Sequence, residues 1–437
     1  MKTDKKQLKI YNKRCDKYQK LVKKNSLIYS GVKALNPQRR LTFDFVVCYT
    51  LYPALFAFVK DVIKRALKDE INCLYFLARD AYLLYHAAKI IVNEYNLKLE
   101  IKYLCISRLS INSALLQFDR AKAIDFMLKK SVGHTAKAAI MRLGFSETQA
   151  QNTLYKIKFK YDFECVLDRK KSACLKSLLL KDNEFFAAVK SRSQKNFKPA
   201  IGYLKQMGLL DDKRYAVVDS GWTGSLKFAL CKLLKKAGRD KPVYGYYWGL
   251  YSFSNKADIP FTHCFYFYPY NGLLKKVRFN NNLFEALCMA PHGMTSGYTK
   301  DGNIFKALFA PFSKEVKDLA PDFKKFVKGA LENTTKAGFL KADFKVIPKL
   351  VRLFFTRPTY VEAKAFSTIP FSDDVMDNFK SIAPPLEIKK KFSHYWWYEG
   401  SAALSLKRKW PLYTAFKYLR HLKGTVLAYI LWKKDKI

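Results

Sequence analysis

The sequence predicts an α/β protein: a parallel sheet with flanking helices, followed by a mostly helical C-terminal region. Three observations carry this. Short apolar runs rich in strand formers, such as Cys73-Leu74-Tyr75-Phe76 and Tyr215-Ala216-Val217-Val218, alternate with segments of helical periodicity. Each run ends in charged or small polar residues just where a helix begins, as the strands of a covered parallel sheet do. Beyond about residue 270 this texture gives way to basic helical stretches near 312–335, 340–356 and 411–432.

Taken in order, residues 1–40 read as a basic N-terminal extension closing in Asn36-Pro37-Gln38-Arg39-Arg40. From Leu51 to Glu70, Leu55, Phe58, Val59, Val62, Ile63, Ala66 and Leu67 keep helical spacing. The first strand is Ile71 to Ala78, followed by Arg79-Asp80 and a helix from Tyr82 to Glu94. The second is Ile101 to Ile106, followed by Ser107-Arg108. Residues 118–210 read as a helical insertion punctuated by Gly133 and Gly144. The third strand, Tyr215 to Val218, runs into Asp219-Ser220-Gly221-Trp222-Thr223-Gly224-Ser225 and a helix to Lys236, and the fourth is Val243 to Leu250. The domains expected are the extension at 1–40, an α/β donor-binding core at 41–270 and a helical region at 271–437 packed on that core.

Eighty Lys and Arg stand against 36 Asp and Glu, a formal charge of +44. Such a field attracts polyanions, whether nucleic acid, anionic lipid or phosphorylated substrate. Lys scattered over solvated helix faces produces the same excess, so nucleic-acid binding is only a remote alternative. The segment Ala136 to Gln151 imitates a helix-turn-helix, a pattern common by chance in helical proteins. Nine cysteines without a C-x-x-C pair read as reduced, buried thiols rather than a disulfide frame or zinc site. The charged start shows no signal peptide, and no apolar run is expected to span a bilayer, so the chain reads as soluble or membrane-peripheral. The aromatic C-terminal stretch from Trp410 to Trp432 suits either an anionic membrane surface or a packed helix pair.

Chemistry concentrates at strand ends. In an open parallel sheet, ligands bind at the carboxyl ends of the strands. There Asp219 can accept bonds from sugar hydroxyls, while Gly221, Trp222, Thr223, Gly224 and Ser225 lead into a helix N-terminus able to hold a phosphate. The bland reading of the same residues is a helix cap and a turn. Arg79 and Arg108 supply forked cations suited to phosphate, and Asp80 an oxygen ligand for magnesium between pyrophosphate oxygens. Glu285 and His292, in Asn281-Asn282-Leu283-Phe284-Glu285 and Ala290-Pro291-His292-Gly293, are candidate bases, although a His in a Pro/Gly loop is more often a turn residue.

The series Leu74-Tyr75-Phe76-Leu77-Ala78-Arg79-Asp80, Tyr103-Leu104-Cys105-Ile106-Ser107-Arg108, Val217-Val218-Asp219-Ser220-Gly221-Trp222-Thr223-Gly224-Ser225 and Gly245-Tyr246-Tyr247-Trp248-Gly249 resembles a module of bacterial polysaccharide-biosynthesis proteins, often fused to a haloacid-dehalogenase-like phosphatase. Glu285 to Tyr298 and Trp397-Tyr398-Glu399-Gly400-Ser401 resemble its later segments, so the likeness runs from about residue 40 to 405. The module is similar to a glycan phosphoribosyltransferase, a divergent relative of the type I phosphoribosyltransferases. The resemblance implies a transferase of capsule or O-antigen synthesis. It would pass 5-phosphoribosyl from phosphoribosyl pyrophosphate (PRPP) to a lipid-linked glycan with magnesium and no organic cofactor, in the cytoplasm or on the inner face of the plasma membrane.

In that family Asp219 would hold the ribose hydroxyls, Thr223 to Ser225 the 5-phosphate, and Arg79 and Asp80 the pyrophosphate and magnesium. Two departures stand out. Ala81 replaces the usual Gly, which favours a non-catalytic capsule-assembly module, and the phosphatase motif Asp-x-Asp-x-Thr is missing, so dephosphorylation is expected to need a separate haloacid-dehalogenase-like phosphatase. Another phosphorylated or nucleotide-linked sugar remains an alternative donor.

Overall fold

The structure, a computed structural model, describes residues 5–129, 134–312, 314–334, 344–372, 379–387, 395–405 and 410–434. Gly133 and the first residues of the helix expected at 340–356 lie outside these ranges.

A five-stranded, wholly parallel sheet forms the centre, from β1 (Cys73–Leu77), β2 (Glu100–Leu104), β3 (Tyr215–Trp222), β4 (Tyr244–Leu250) and β5 (Thr262–Phe267) in the order β2-β1-β3-β4-β5. Every residue of β1 is buried, which is why it reads as an unbroken apolar run. The sequence reading stopped the third strand at Val218, but β3 continues to Trp222, pairing Asp219 with Tyr247 and Gly221 with Gly249. The fifth strand was not expected. It follows β4 after a short 3-10 turn over Lys256–Phe261, not after the long helical pattern that announces the others.

One face of the sheet carries the larger core. Trp248 is fully buried among Phe58, Phe265, Tyr266, Phe279 and Phe284, with ring centroids 4.7–5.7 Å apart. Much of the aromatic content is therefore core packing, and these offset and tilted pairs add to the burial itself. The N-terminal helices Lys5–Val22 and Ser26–Leu35 join this core through Tyr11, Cys15, Tyr18 and Ile28. Glu362, wholly buried, accepts from the Tyr18 hydroxyl at 2.5 Å and pairs with Arg14 at 3.2 Å, fastening the first helix to the helix Tyr360–Phe366. Residues 116–189 form a separate helical cluster with its own apolar centre, including Met127, Ile140, Leu154, Leu175 and Val189.

The region past 270 is mostly helical, as expected, and it also holds an antiparallel hairpin made by β6 (Thr295–Asp301) and β7 (Ile304–Phe309). Its two-residue turn is Gly302-Asn303, with Gly302 at φ +56°, the first central position where a tight hairpin turn favours glycine. One expectation needs correction: among the described residues, one helix is long and apolar enough to cross a membrane. Thr42–Lys68 is a continuous run of 27 residues with a window of mean hydropathy 1.6, and 83% of that window is buried inside the protein, making it a core helix here.

Candidate functional site

The strand order decides where a ligand site can lie. The chain leaves β1 towards β2, then returns to place β3 on the other side of β1. The connections after β1 and β3 therefore diverge, and the crevice between them is the switch point at which open α/β sheets bind ligands. On this edge β1 delivers Arg79 and Asp80, β2 delivers Arg108 one residue past the capping Ser107, and β3 delivers Asp219. The Ala78–Arg79 peptide is cis.

Three acids meet here. Asp219 accepts the Ser220 N–H at 2.9 Å and remains partly accessible. Burial and the charge of Asp80 push its carboxyl up to about 7, while the Ser220 and Gly221 N–H groups and Arg108 pull the other way. Glu285 lies on the helix Asn281–Cys288, whose Asn280 cap accepts the Leu283 N–H at 2.9 Å. Its Oε1 accepts from Ser220 Oγ at 3.0 Å, from Asn281 Nδ2 at 2.8 Å and from the Trp222 indole. Burial, then the charges of Asp80 and Asp219, still push this carboxyl well above its ordinary value. The edge is thus crowded with negative charge and holds protons near neutrality.

That crowding is the observation against which magnesium is tested. The donors are all carboxylate oxygens, which suit a hard cation, and a cation beside Asp80 would relieve the repulsion felt by Asp219 and Glu285. Among the described residues no three His, Cys, Asp or Glu side chains converge at ligand spacing. The residues therefore fit a magnesium held by Asp80 together with substrate oxygens.

The loop after Asp219 differs from the sequence reading. Gly221 and Trp222 belong to β3, so only Thr223 and Gly224 link the strand to the helix Ser225–Lys236. Gly221 is a packing glycine: at φ +114°, an added Cβ would stand 1.9 Å from the Gly249 carbonyl oxygen. Gly224 caps the helix at φ +68° without a side-chain bond. In the first turn, Lys227 pairs with Asp258 at 3.0 Å, and Ser254 Oγ donates to the Thr223 carbonyl at 2.8 Å. These contacts hold Thr223, Gly224 and Ser225 at the open N-terminus of a 12-residue helix.

His292 is anchored. Its Nδ1 donates to the Gly293 carbonyl at 2.9 Å, which leaves Nε2 as the acceptor for the Tyr103 hydroxyl, also at 2.9 Å. Burial, and behind it Arg79, lower its pKa, keeping the ring neutral. Both ring nitrogens are engaged, so His292 does not present a free basic nitrogen. Ala81 is fully buried at φ −98°, its methyl in the core below the turn, so that turn needs no glycine.

Sequence reasoning missed the cavity beside the site. About 530 Å³ lies between Trp222 and Thr223, the corner Asn280-Asn281-Asn282, and the helix Trp410–Lys434, which contributes Tyr413, Lys417, Arg420 and His421. His421 stacks on Tyr251 with centroids 5.1 Å apart, and Lys276 donates to Thr425 Oγ1 at 2.8 Å, closing the far wall. Aromatic faces, amides and cations thus surround one space. The Asn triplet and the Trp396-Trp397 pair were visible signals, but their elements are over 100 residues apart.

No protein-family model matches the chain, and no curated protein matches it.

Proposed function

We propose that the protein is a glycosyltransferase of bacterial surface-polysaccharide synthesis, of the type I phosphoribosyltransferase kind, passing 5-phosphoribosyl from PRPP to a glycan acceptor. The observation that carries the reading is that Asp80, Asp219 and Glu285 lie within electrostatic reach at the switch point of a parallel sheet, with Arg108 acting on Asp219 and Arg79 next to Asp80 in the chain. A PRPP site needs cations for the leaving pyrophosphate on one loop and acceptors for ribose hydroxyls on its neighbour. The side-by-side ends of β1 and β3 are arranged for that division.

In this reading Asp219 takes the ribose hydroxyls, and the open helix end at Thr223 to Ser225 takes the 5-phosphate. Arg79 and Arg108 hold the pyrophosphate, with magnesium neutralising its charge beside Asp80. As the bond from the anomeric carbon to pyrophosphate lengthens, positive charge grows on the ribosyl ring, and the acids at this edge stabilise it. Glu285, held through Oε1, is the group placed to receive the acceptor hydroxyl's proton when ionised. The neighbouring 530 Å³ cavity is where the glycan acceptor would sit, with Trp222 between the two sites.

Calorimetry of PRPP, with and without magnesium, on wild type and Asp219→Ala tests the reading. Binding in the micromolar range that depends on magnesium and disappears in the variant supports it. A folded wild-type protein that binds no PRPP overturns it, and nucleotide-linked sugars then become the donors to titrate.

A further inference from the structure

The helix Trp410–Lys434 is apolar on two sides, and the described residues cover only one. Its inner side is fastened: Lys417 is buried, donating to Glu399 at 3.0 Å and to the Phe279 carbonyl at 2.9 Å, and Trp432 stacks on Tyr270 at 4.5 Å. The outer side is bare. Leu412, Leu419, Val426 and Ile430 recur at helical spacing along one stripe, with Leu427 beside it. Leu412 is 67% exposed, Leu419 66% and Leu427 58%. At 1.5 Å per residue the stripe runs about 27 Å. A soluble protein rarely leaves so long an apolar stripe uncovered, and such a face marks an interaction surface.

Charge selects the occupant. The helix contains no Asp or Glu, and Lys423 and Lys433 accompany the stripe on a chain of formal net charge +44. A second copy would bring two strongly positive bodies together and press Lys423, which interrupts the stripe, against its own mate. At a bilayer the same lysine extends its stem along the apolar surface and sets its ammonium among anionic headgroups. The field that repels a copy attracts an anionic membrane.

We propose that the outer face of Trp410–Lys434 docks on an anionic lipid bilayer surface, lying in the headgroup region with its apolar stripe inserted. The inner face of the same helix lines the cavity beside Trp222 and Thr223, so docking places that cavity at the membrane surface. The inference does not depend on PRPP being the donor.

The test is co-sedimentation of the full chain with vesicles of phosphatidylcholine alone and with about 30% phosphatidylglycerol, at about 0.1 and 0.5 M salt. Wild type should pellet with the anionic vesicles, about tenfold or more weaker with neutral ones, and weaker at high salt. Leu419→Glu/Leu427→Glu should lose this binding about tenfold with an unchanged melting temperature, while Leu419→Met/Leu427→Met keeps it. Three results overturn the proposal: no pelleting of wild type, pelleting undiminished in the Glu variant, or a dimer by light scattering that the Glu variant breaks while vesicles never bind. Because both leucines are exposed, the fold should survive. If the Glu variant unfolds instead, Lys423→Glu read against the Met pair decides by the same vesicle comparison.

Discussion

Ser220, the residue after Asp219, donates its hydroxyl to Glu285 Oε1 at 3.0 Å across 65 residues of sequence. The bond ties the end of β3 to the helix Asn281–Cys288. It brings two acids of one edge together, and the charge of Asp219 raises the carboxyl of Glu285. Asn281 and the Trp222 indole converge on the same oxygen, so the orientation of Glu285 is over-determined.

Glu285→Gln keeps an oxygen for those three donors and removes the charge. The variant should fold with a melting temperature close to wild type and bind PRPP, yet transfer about 100-fold more slowly. Single-turnover transfer measured beside PRPP calorimetry checks this. Equal loss in binding and rate would assign Glu285 to donor binding instead.

The Asp219 carboxyl, raised from 3.8 to about 7, makes stability depend on pH. Between about pH 4 and 7 the folded chain keeps a proton that the unfolded chain gives up, so stability falls as pH rises through this window. Asp219→Asn, which cannot ionise, should therefore gain melting temperature over wild type as pH goes from 4 to 8, the difference levelling off above 7. Thermal scans of both proteins in matched buffers measure it. A constant difference would mean that the carboxyl does not titrate there.

Arg79 and Arg108 are assigned to pyrophosphate, and Asp80 to the cation. Arg79→Ala should weaken PRPP and free pyrophosphate alike by about 10- to 100-fold, whereas ribose 5-phosphate should be little affected. Asp80→Asn should remove the magnesium dependence and lower the pH at which Asp219 ionises, because a negative neighbour is lost. Calorimetry with the three ligands separates these roles.

Gly221→Ala tests packing against phosphate binding. Its Cβ would collide with the Gly249 carbonyl at 1.9 Å from a backbone at φ +114°. The loss should be in stability, about 3 kcal/mol or more, seen as insoluble protein or a large fall in the denaturation midpoint. A stable variant with weakened PRPP binding would return Gly221 to the phosphate loop.

Tyr103→Phe removes the hydroxyl that occupies His292 Nε2. Because the imidazole is held neutral, wild-type activity should show no His292 titration between about pH 6 and 8. The variant should retain the wild-type pH profile with a modest drop in melting temperature. A new inflection confined to the variant would show Tyr103 suppressing a functional base.

Much of the fold was legible because buried parallel strands have a sharp local signature. Apolar runs ending in Arg79-Asp80, Ser107-Arg108 and Asp219 announce strand ends, and a parallel sheet puts all such ends on one edge. β5 was not legible, since a short 3-10 turn replaces the helix that usually frames a parallel strand. The β6–β7 hairpin was signalled only by its turn, Gly302-Asn303, amid a helical stretch.

By itself, then, the sequence determined the class of fold and the acids and arginines at its working edge, because strand burial and strand termination are written in neighbouring residues. The tertiary structure decided what those residues are to one another. Strand order set β1 beside β3 and made Asp80 and Asp219 neighbours. Long-range packing brought Glu285 under Ser220, anchored His292 on Tyr103, turned Gly221 into a close contact and set Trp410–Lys434 against the site. Hydrogen bonds and repulsion act over a few ångströms in space, and chain neighbours reveal them only when fold and sequence bring the same residues together.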